Sequence, residues 1–292
     1  MMMRLFSHML QYWRGVRCLT IEDFSGAIFH FSKVVQLNPR NHYAYHNRGV
    51  ALQGMGSYAS SIEDFGLALK LKPNAQTYGA RGVSRKFLGD FDGAIDDQTR
   101  ALALEPRLAA AHGELAYLHH VKGDLDRAIA QSTTAVGLAP KDPVMHRGRG
   151  YIQFCRGRFE AAAADMERSL ALEFEPYAAL FRYLSLARLL GRARPDLASF
   201  AAYWAAGQWP SPVFDLLMER STAQQLLNAA ATAPEQAEAY FYIGEWHLLH
   251  GRKDEAGRAL EIALRSLPPW FNEHPAAQAE LARLAETVAA AS

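Results

Sequence analysis

The stretch GDFDGAIDDQTRALALEP, Gly89–Pro106, opens on a turn, continues as a helical pattern and closes on a proline. It has near copies on both sides: GMGSYASSIEDFGLALKLKP at 54–73 and VKGDLDRAIAQSTTAVGLAP at 121–140. Closing prolines stand at Pro39, Pro73, Pro106 and Pro140, spaced 34, 33 and 34 residues apart, and Pro268 closes a later copy. Turn glycines fall at Gly56, Gly89, Gly123, Gly157, Gly191 and Gly251. Five places after each glycine comes a small residue, Ser61, Ala94, Ala128, Ala162 and Ala256, with Asp196 the exception. An earlier copy ends DFSGAIFHFSKVVQLNP, with Ala27 in the small position. A fixed period of this length is the mark of stacked helical or strand units, each of which buries its apolar face on its neighbours.

Each copy reads as two helices. The first carries Tyr45, Tyr78, His112, His146 or Tyr240 near its start, then Gly15, Gly49, Gly82, Ala116, Gly150 or Gly244. Glycine inside a helix costs about 1 kcal/mol against alanine. Its recurrence at one place predicts a contact that leaves no room for a side chain. The expected partner is the small residue twelve places on, Ser61 for Gly49 and Ala94 for Gly82. Arg48, Arg81 and Arg149 are each followed sixteen residues later by Asp64, Asp97 and Asp165, whereas Leu115 is matched by Gln131 and Ile243 by Ala259. Only Arg14, facing His30, breaks the rule. The joint switching predicts a bidentate, partly buried Arg–Asp pair across the two helices of a unit.

This 34-residue helix–turn–helix period resembles the tetratricopeptide repeat (TPR) over 8–176 and 237–270. Two departures are the arginine before the glycine in four units and Phe174 where a fifth closing proline belongs. The resemblance implies an all-α fold, a right-handed TPR solenoid of antiparallel helix pairs with a C-terminal capping helix. Five units would occupy 8–176, a divergent unit with an irregular helical insert 177–236, another unit 237–270, and a capping helix and tail 271–292. The capping helix is expected over about 275–289, opened by Asn272 or His274. Within the insert, Pro195 and Asp196 disturb a second helix, Ser211 can cap a short helix with Pro212 at its first position, and Ser221 can cap another running to about Ala231. Two readings fit this aromatic-rich segment (Tyr203, Trp204, Trp209, Phe214): filler for a bend, or a contact surface for self-association through Trp204, Trp209 and Phe214.

A narrower likeness covers 177–286. YAALFRYLSLAR, VFDLLMERSTAQQLL and FYIGEWHLLHGRKDEAGRALEIAL resemble the C-terminal half of the NlpI-type TPR lipoproteins of bacterial envelopes. It implies a membrane-anchored adaptor, often dimeric, that presents cell-wall hydrolases to a protease. The first residues, MMMRLFSHMLQYWRGVRCLTIEDF, depart from that family: His8, Gln11, Arg14 and Arg17 interrupt any apolar signal core, and Cys18 follows an arginine, so there is no lipobox. The cytoplasm is therefore the expected compartment, and the envelope or periplasm if the true start lies upstream.

Composition narrows the function. Half of the 292 residues are hydrophobic and 21% are charged, as in a folded soluble chain. A net charge of +1 gives no general grip on nucleic acid, and no run is apolar enough for a membrane span. Cys18 and Cys155 lie far apart without metal-ligand partners and read as thiols that pack as small hydrophobes. His42 and His46 share a helix face, but no carboxylate joins them at ligand spacing, so no metal is expected. No phosphate-cradling loop, catalytic triad or carboxylate pair stands out, so neither cofactor nor enzyme activity is expected.

What remains is protein binding. If Tyr45, Arg48, Gly49 and Leu52 face the second helix, another stripe faces the hollow of the solenoid. Helical repeats use such a wall for peptides and partner helices. The residues assigned to this groove are His46, Val50, Lys86, Tyr117, His120, Arg147, Tyr151, Phe154 and Arg188. The alternative is that some of them pack on the next unit. The two-cation clamp of co-chaperone TPR domains is not expected, because His46, Val50, Gln76 and Ala80 occupy its positions. The favoured reading is an adaptor holding a peptide or helical segment, with a homodimer as an option. A cytoplasmic assembly factor and a self-associating scaffold are the alternatives.

Overall fold

The computed structural model describes residues 2–191, 197–201 and 207–289. Among these residues are 17 helices and no strand. They divide into two compact units, Met1–Leu118 and His119–Ser292.

Unit 1 holds α1 (Met2–Thr20), α2 (Phe24–Leu37), α3 (His42–Gly54), α4 (Tyr58–Leu71), α5 (Ala75–Phe87), α6 (Phe91–Leu104) and most of α7 (Ala109–Val121). Each helix packs on the next: α1 on α2, α2 on α3, α3 on α4, α4 on α5 and α5 on α6. The first helices of neighbouring pairs also touch, α1 with α3 and α3 with α5, and so form one wall. The tight turn inside each pair makes the two helices antiparallel. At Gly56, Gly89, Gly123, Gly157 and Gly251 φ lies between +72° and +79°, a left-handed conformation that only glycine adopts without a Cβ penalty. The next backbone N–H reaches back into the helix it leaves, as Asp90 N does to Arg85 O at 3.0 Å. The Asp90 carboxylate then accepts from Gly93 N and caps the second helix, and Asp23 and Asp124 do the same in their units. In the first unit Glu22 occupies the glycine position, at φ +58°.

The glycines inside the first helices seat large side chains. A Cβ on Gly15 would stand 2.8 Å from the Phe31 ring, on Gly49 2.7 Å from Phe65, on Gly150 2.9 Å from Met166 and on Gly244 2.7 Å from Leu260. The expected partner twelve places on is only the second neighbour: Ala94 O lies 3.3 Å from such a Cβ at Gly82, behind the Gln98 amide at 3.0 Å. The contact that excludes a side chain is with the residue sixteen places on. The Arg–Asp expectation holds in all three units. Arg48 grips Asp64 through Nε and Nη2 at 2.7 Å each, Arg81 grips Asp97 at 2.9 and 2.6 Å, and Arg149 grips Asp165 at 2.7 Å each. In the first unit His30 instead meets Gln11 Oε1 at 2.7 Å.

Unit 2 continues with α8 (Leu125–Leu138), α9 (Pro143–Cys155), α10 (Phe159–Leu172) and α11 (Pro176–Leu190). Phe174 tolerates the loss of the closing proline because Glu175 caps α11 and Pro176 sits in its first turn. After the four-residue α12 (Ala198–Ala201) come α13 (Ser211–Leu217) and α14 (Ala223–Ala229). The first residue of α13 is Ser211 itself, not its cap, and Thr222, not Ser221, caps α14 in a capping box with Gln225. Pro195 and Asp196 lie outside the described residues, as do Tyr203 and Trp204. A second capping box, Thr232 with Glu235, starts α15 (Ala233–Leu249), four residues earlier than the repeat spacing predicts. It pairs with α16 (Lys253–Ser266).

The last helix, α17 (Glu273–Ala289), packs on α16 as a cap would, and it also packs on α9 and α15. Arg283 at its far end donates through Nη1 to Cys155 O at 2.8 Å. The wall formed by the first helices of unit 2 is thus covered by the chain's own C-terminal helix.

Candidate protein-binding surface

That covering decides the fate of the later groove residues. Phe154 is 0% exposed and packs edge-on to Phe181 and Phe159, with ring centroids 5.0 and 5.4 Å away. Tyr151 is buried edge-on to Phe181 at 4.6 Å. The assignment of Tyr151 and Phe154 to an open groove is corrected: both belong to the core of unit 2. His120 is buried too, and burial pushes its imidazole down to about 4, so it packs as a neutral ring. Arg147 is half-buried at the rim, its Nε 4.0 Å from Glu175.

Arg188 is not a free anchor either. It pairs with Glu245 at 2.8 Å and Glu280 at 3.2 Å, and Glu280 is shared with Arg283. This network ties α11, α15 and α17 together. Burial pushes the Glu245 carboxyl up to about 7 despite the pull of Arg188. Two turns earlier on α15, Glu238 accepts from Tyr177 Oη at 2.9 Å and from Trp209 Nε1 at 2.8 Å, and Tyr242 Oη donates to Glu273 at 3.1 Å. Burial, with the negative charge of Glu238 added, pushes Glu273 up to about 8.

The insert contributes to the same core. Phe214, assigned to self-association, is fully buried and is corrected to a core residue, while Trp209 is half-buried and bonded to Glu238. The third residue of that set, Trp204, lies outside the described residues.

Unit 1 differs. His46 and Val50 on α3 are half-buried on the wall of first helices. His46 Nδ1 lies 2.9 Å from Thr77 Oγ1 on α5. Lys86 pairs with Glu114 at 2.7 Å and lies 5.0 Å from the centre of the Tyr117 ring. His46, Lys86 and Tyr117 therefore join one first helix to the next, and the alternative reading applies to them. Tyr117 Oη is buried without a hydrogen-bond partner among the described residues.

Two clefts open on this wall. One, of about 480 Å³, lies between the starts of α3 and α5 and is lined by His42, Tyr43, His46, Asn47, Lys72, Asn74, Gln76 and Thr77. Burial holds the His42 and His46 imidazoles below their ordinary range, and Lys72 adds to the effect at His42. The other, of about 270 Å³, lies between α1 and α3 and is lined by His8, Met9, Tyr12, Trp13, Asn41 and Tyr43. Trp13 is 63% exposed and Tyr43 56%. Tyr43 borders both clefts. The stripe argument missed Tyr43, Lys72 and Thr77 because they sit at helix starts or in the turns before them, and Trp13 because it lies on α1, from which no stripe was read. The available signal was a pair of aromatics, Trp13 and Tyr43, out of register with the core. Among the described residues no three of His, Cys, Asp and Glu gather as metal ligands, and no helix is long and apolar enough to cross a membrane.

Comparison with known families agrees with this geometry. Two families, each described as tetratricopeptide repeat, match residues 42–74 and residues 80–143 with 220–269, together half of the chain. The chain carries tetratricopeptide repeats. No curated protein matches the sequence. Among solved structures, the TPR chain resembles PilW, described as a widely conserved type IV pilus biogenesis factor, at 17% identity and a TM-score of 0.60, over 67% of this chain and 91% of that one. It resembles MamA from Desulfovibrio magneticus RS-1 at 21% identity and a TM-score of 0.52, over 57% of this chain and 95% of that one. It also resembles a thermophilic TPR protein of Thermus thermophilus at 18% identity and a TM-score of 0.51, over 63% and 99%. At such identities the likeness shows the fold: antiparallel helix pairs stacked as in TPR proteins.

Proposed function

We propose that this TPR chain is a non-catalytic adaptor that holds a peptide or helical segment of a partner protein on the first-helix wall of unit 1. The observation that carries the reading is the pair of adjoining clefts around the exposed Tyr43, with Trp13 and Lys72 beside it. Large aromatic rings with open edges are the usual anchors of protein interfaces. The wall of unit 2 is already covered by α17, which packs on α9 and α15. The sequence likeness of 177–286 to NlpI-type lipoproteins makes the bacterial envelope one expected home for such an adaptor and the cytoplasm the other. Fractionation of the native product, with its start mapped, separates the two. The adaptor reading is tested by affinity capture from the native host with the wild-type chain and Tyr43→Ala. The same protein should be retained by the wild type and lost by the variant at unchanged helicity. Retention by both moves the site, and failure of the wild type to retain any protein ends the reading.

A further inference from the structure

We infer that the outer face of α1 is a membrane-surface anchor, which lies along an anionic lipid bilayer with Met9, Leu10 and Trp13 in the interface and Arg14 and Arg17 among the lipid phosphates. This goes beyond the adaptor reading and stands without it. α1 packs on α2 and α3, and its inner face is fully used. Tyr12, Val16 and Leu19 pack in the core of the first helix pair, and Gly15 seats the Phe31 ring. Where a repeat stack ends, its outer face is ordinarily polar. On α1 it is not: Met9, Leu10 and Trp13 are 53%, 42% and 63% exposed, with Arg14 and Arg17 exposed beside them. These five residues stand at i, i+1, i+4, i+5 and i+8, which is one face of a helix. Single exposed apolar side chains are ordinary, whereas three adjacent ones mark a surface that something covers.

Charge selects the occupant. From Met1 to Ile21 the sequence holds Arg4, Arg14 and Arg17 and no acidic residue. Neither Arg14 nor Arg17 forms an ion pair among the described residues. A second copy would set this face against itself about a two-fold axis, arginine against arginine with no carboxylate on either helix. A nucleic acid would use the arginines and one ring, but Met9 and Leu10 give bases nothing to stack on, and a net charge of +1 gives a polyanion little counter-charge. An anionic bilayer uses all five side chains. The apolar ones enter below the headgroups, the indole sits at their level, and the guanidinium groups reach the phosphates. Each arginine held near such a surface strengthens binding by about fivefold. No helix among the described residues is long and apolar enough to cross a membrane, so α1 lies along the surface.

The test is co-sedimentation of the full-length chain with vesicles of phosphatidylcholine, alone or with about 30% phosphatidylglycerol, at low salt. The chain should sediment with the anionic vesicles and far less with the neutral ones. Arg14→Gln with Arg17→Gln should weaken binding to the anionic vesicles by about twentyfold, and Leu10→Ser should weaken it by about tenfold. Lipids brominated on the acyl chain near the headgroup should quench tryptophan fluorescence of the wild type, and the quenching should vanish in Trp13→Phe. All four positions are exposed, so circular dichroism should be unchanged. Tyr43→Ala, which removes the anchor of the adaptor reading, should leave vesicle binding intact, so the two readings fail separately. The inference is overturned by absence of binding to the anionic vesicles, by equal binding to the neutral ones, by an unchanged arginine variant, or by quenching that survives Trp13→Phe. Tighter binding of oligothymidylate than of the anionic vesicles assigns the face to nucleic acid, and a dimer lost with Leu10→Ser assigns it to a second copy. Either outcome also overturns the inference.

Discussion

At the scale of single residues, the Arg–Asp pairs were legible because two positions sixteen apart switch together within one chain. Their surroundings were not. Asp97 is fully buried and accepts from Arg85 as well as Arg81, at 3.0 Å. Asp97→Ala therefore strands the Arg81 guanidinium, while Arg85 keeps Gly93 O at 3.0 Å and Asp90 at 3.6 Å, and should cost on the order of 3–5 kcal/mol, whereas Arg81→Ala leaves Asp97 paired with Arg85 and should cost clearly less. Urea denaturation of both variants and the double variant checks this, and equal, additive losses would refute the coupling. Glu22 offers the opposite sign. A non-glycine residue in the left-handed region costs about 1–2 kcal/mol, so Glu22→Gly should raise the denaturation midpoint. The carboxyls of Glu273 and Glu245 have folded values raised to about 8 and about 7 from an ordinary 4.5. A raised folded value means that the native state binds protons the unfolded state has released. Stability from these groups is complete below about pH 4.5 and is lost as pH rises through 7 to 8. Thermal melts should show unit 2 weakening over that window, and Glu273→Gln should flatten the slope.

At the scale of helices, the turns, the caps and the period of the pairs were readable because each is local. A glycine at φ near +75° and an aspartate one place later specify a helical hairpin without reference to the rest of the chain. The groove stripe was harder, because a helix face shows which residues point one way and not what arrives there. Tyr151, Phe154 and Arg188 do lie on the first-helix wall, but α17, more than a hundred residues later in sequence than α9, covers it. The signal available was the charge pattern of α17, whose Glu280 and Arg283 complement Arg188 and Glu245. Phe154→Ala should accordingly behave as a core truncation, losing about 3–5 kcal/mol rather than only partner affinity. In the insert, Trp209→Ala should lower the melting temperature by removing the bond to Glu238, and it should leave the sedimentation coefficient unchanged. A change in oligomeric state on that substitution would restore the contact-surface reading.

At the scale of the whole molecule, one kind of helix pair produces two different surfaces. In unit 2 the first-helix wall is completed by the chain itself, through a helix carrying its own charges into a buried network. In unit 1 the same wall keeps open clefts, with exposed aromatics at one end and cationic and amide groups at the other. Under the adaptor proposal, unit 2 supplies a stapled core and unit 1 the recognition surface. It is most directly tested by placing a photo-crosslinking residue in the native host at Asn47, on the open wall, and at Glu63, exposed on the second helix behind it. Adducts to a partner protein should form from Asn47 and be absent from Glu63. Adducts from Glu63 with none from Asn47 would contradict the assignment of the binding surface.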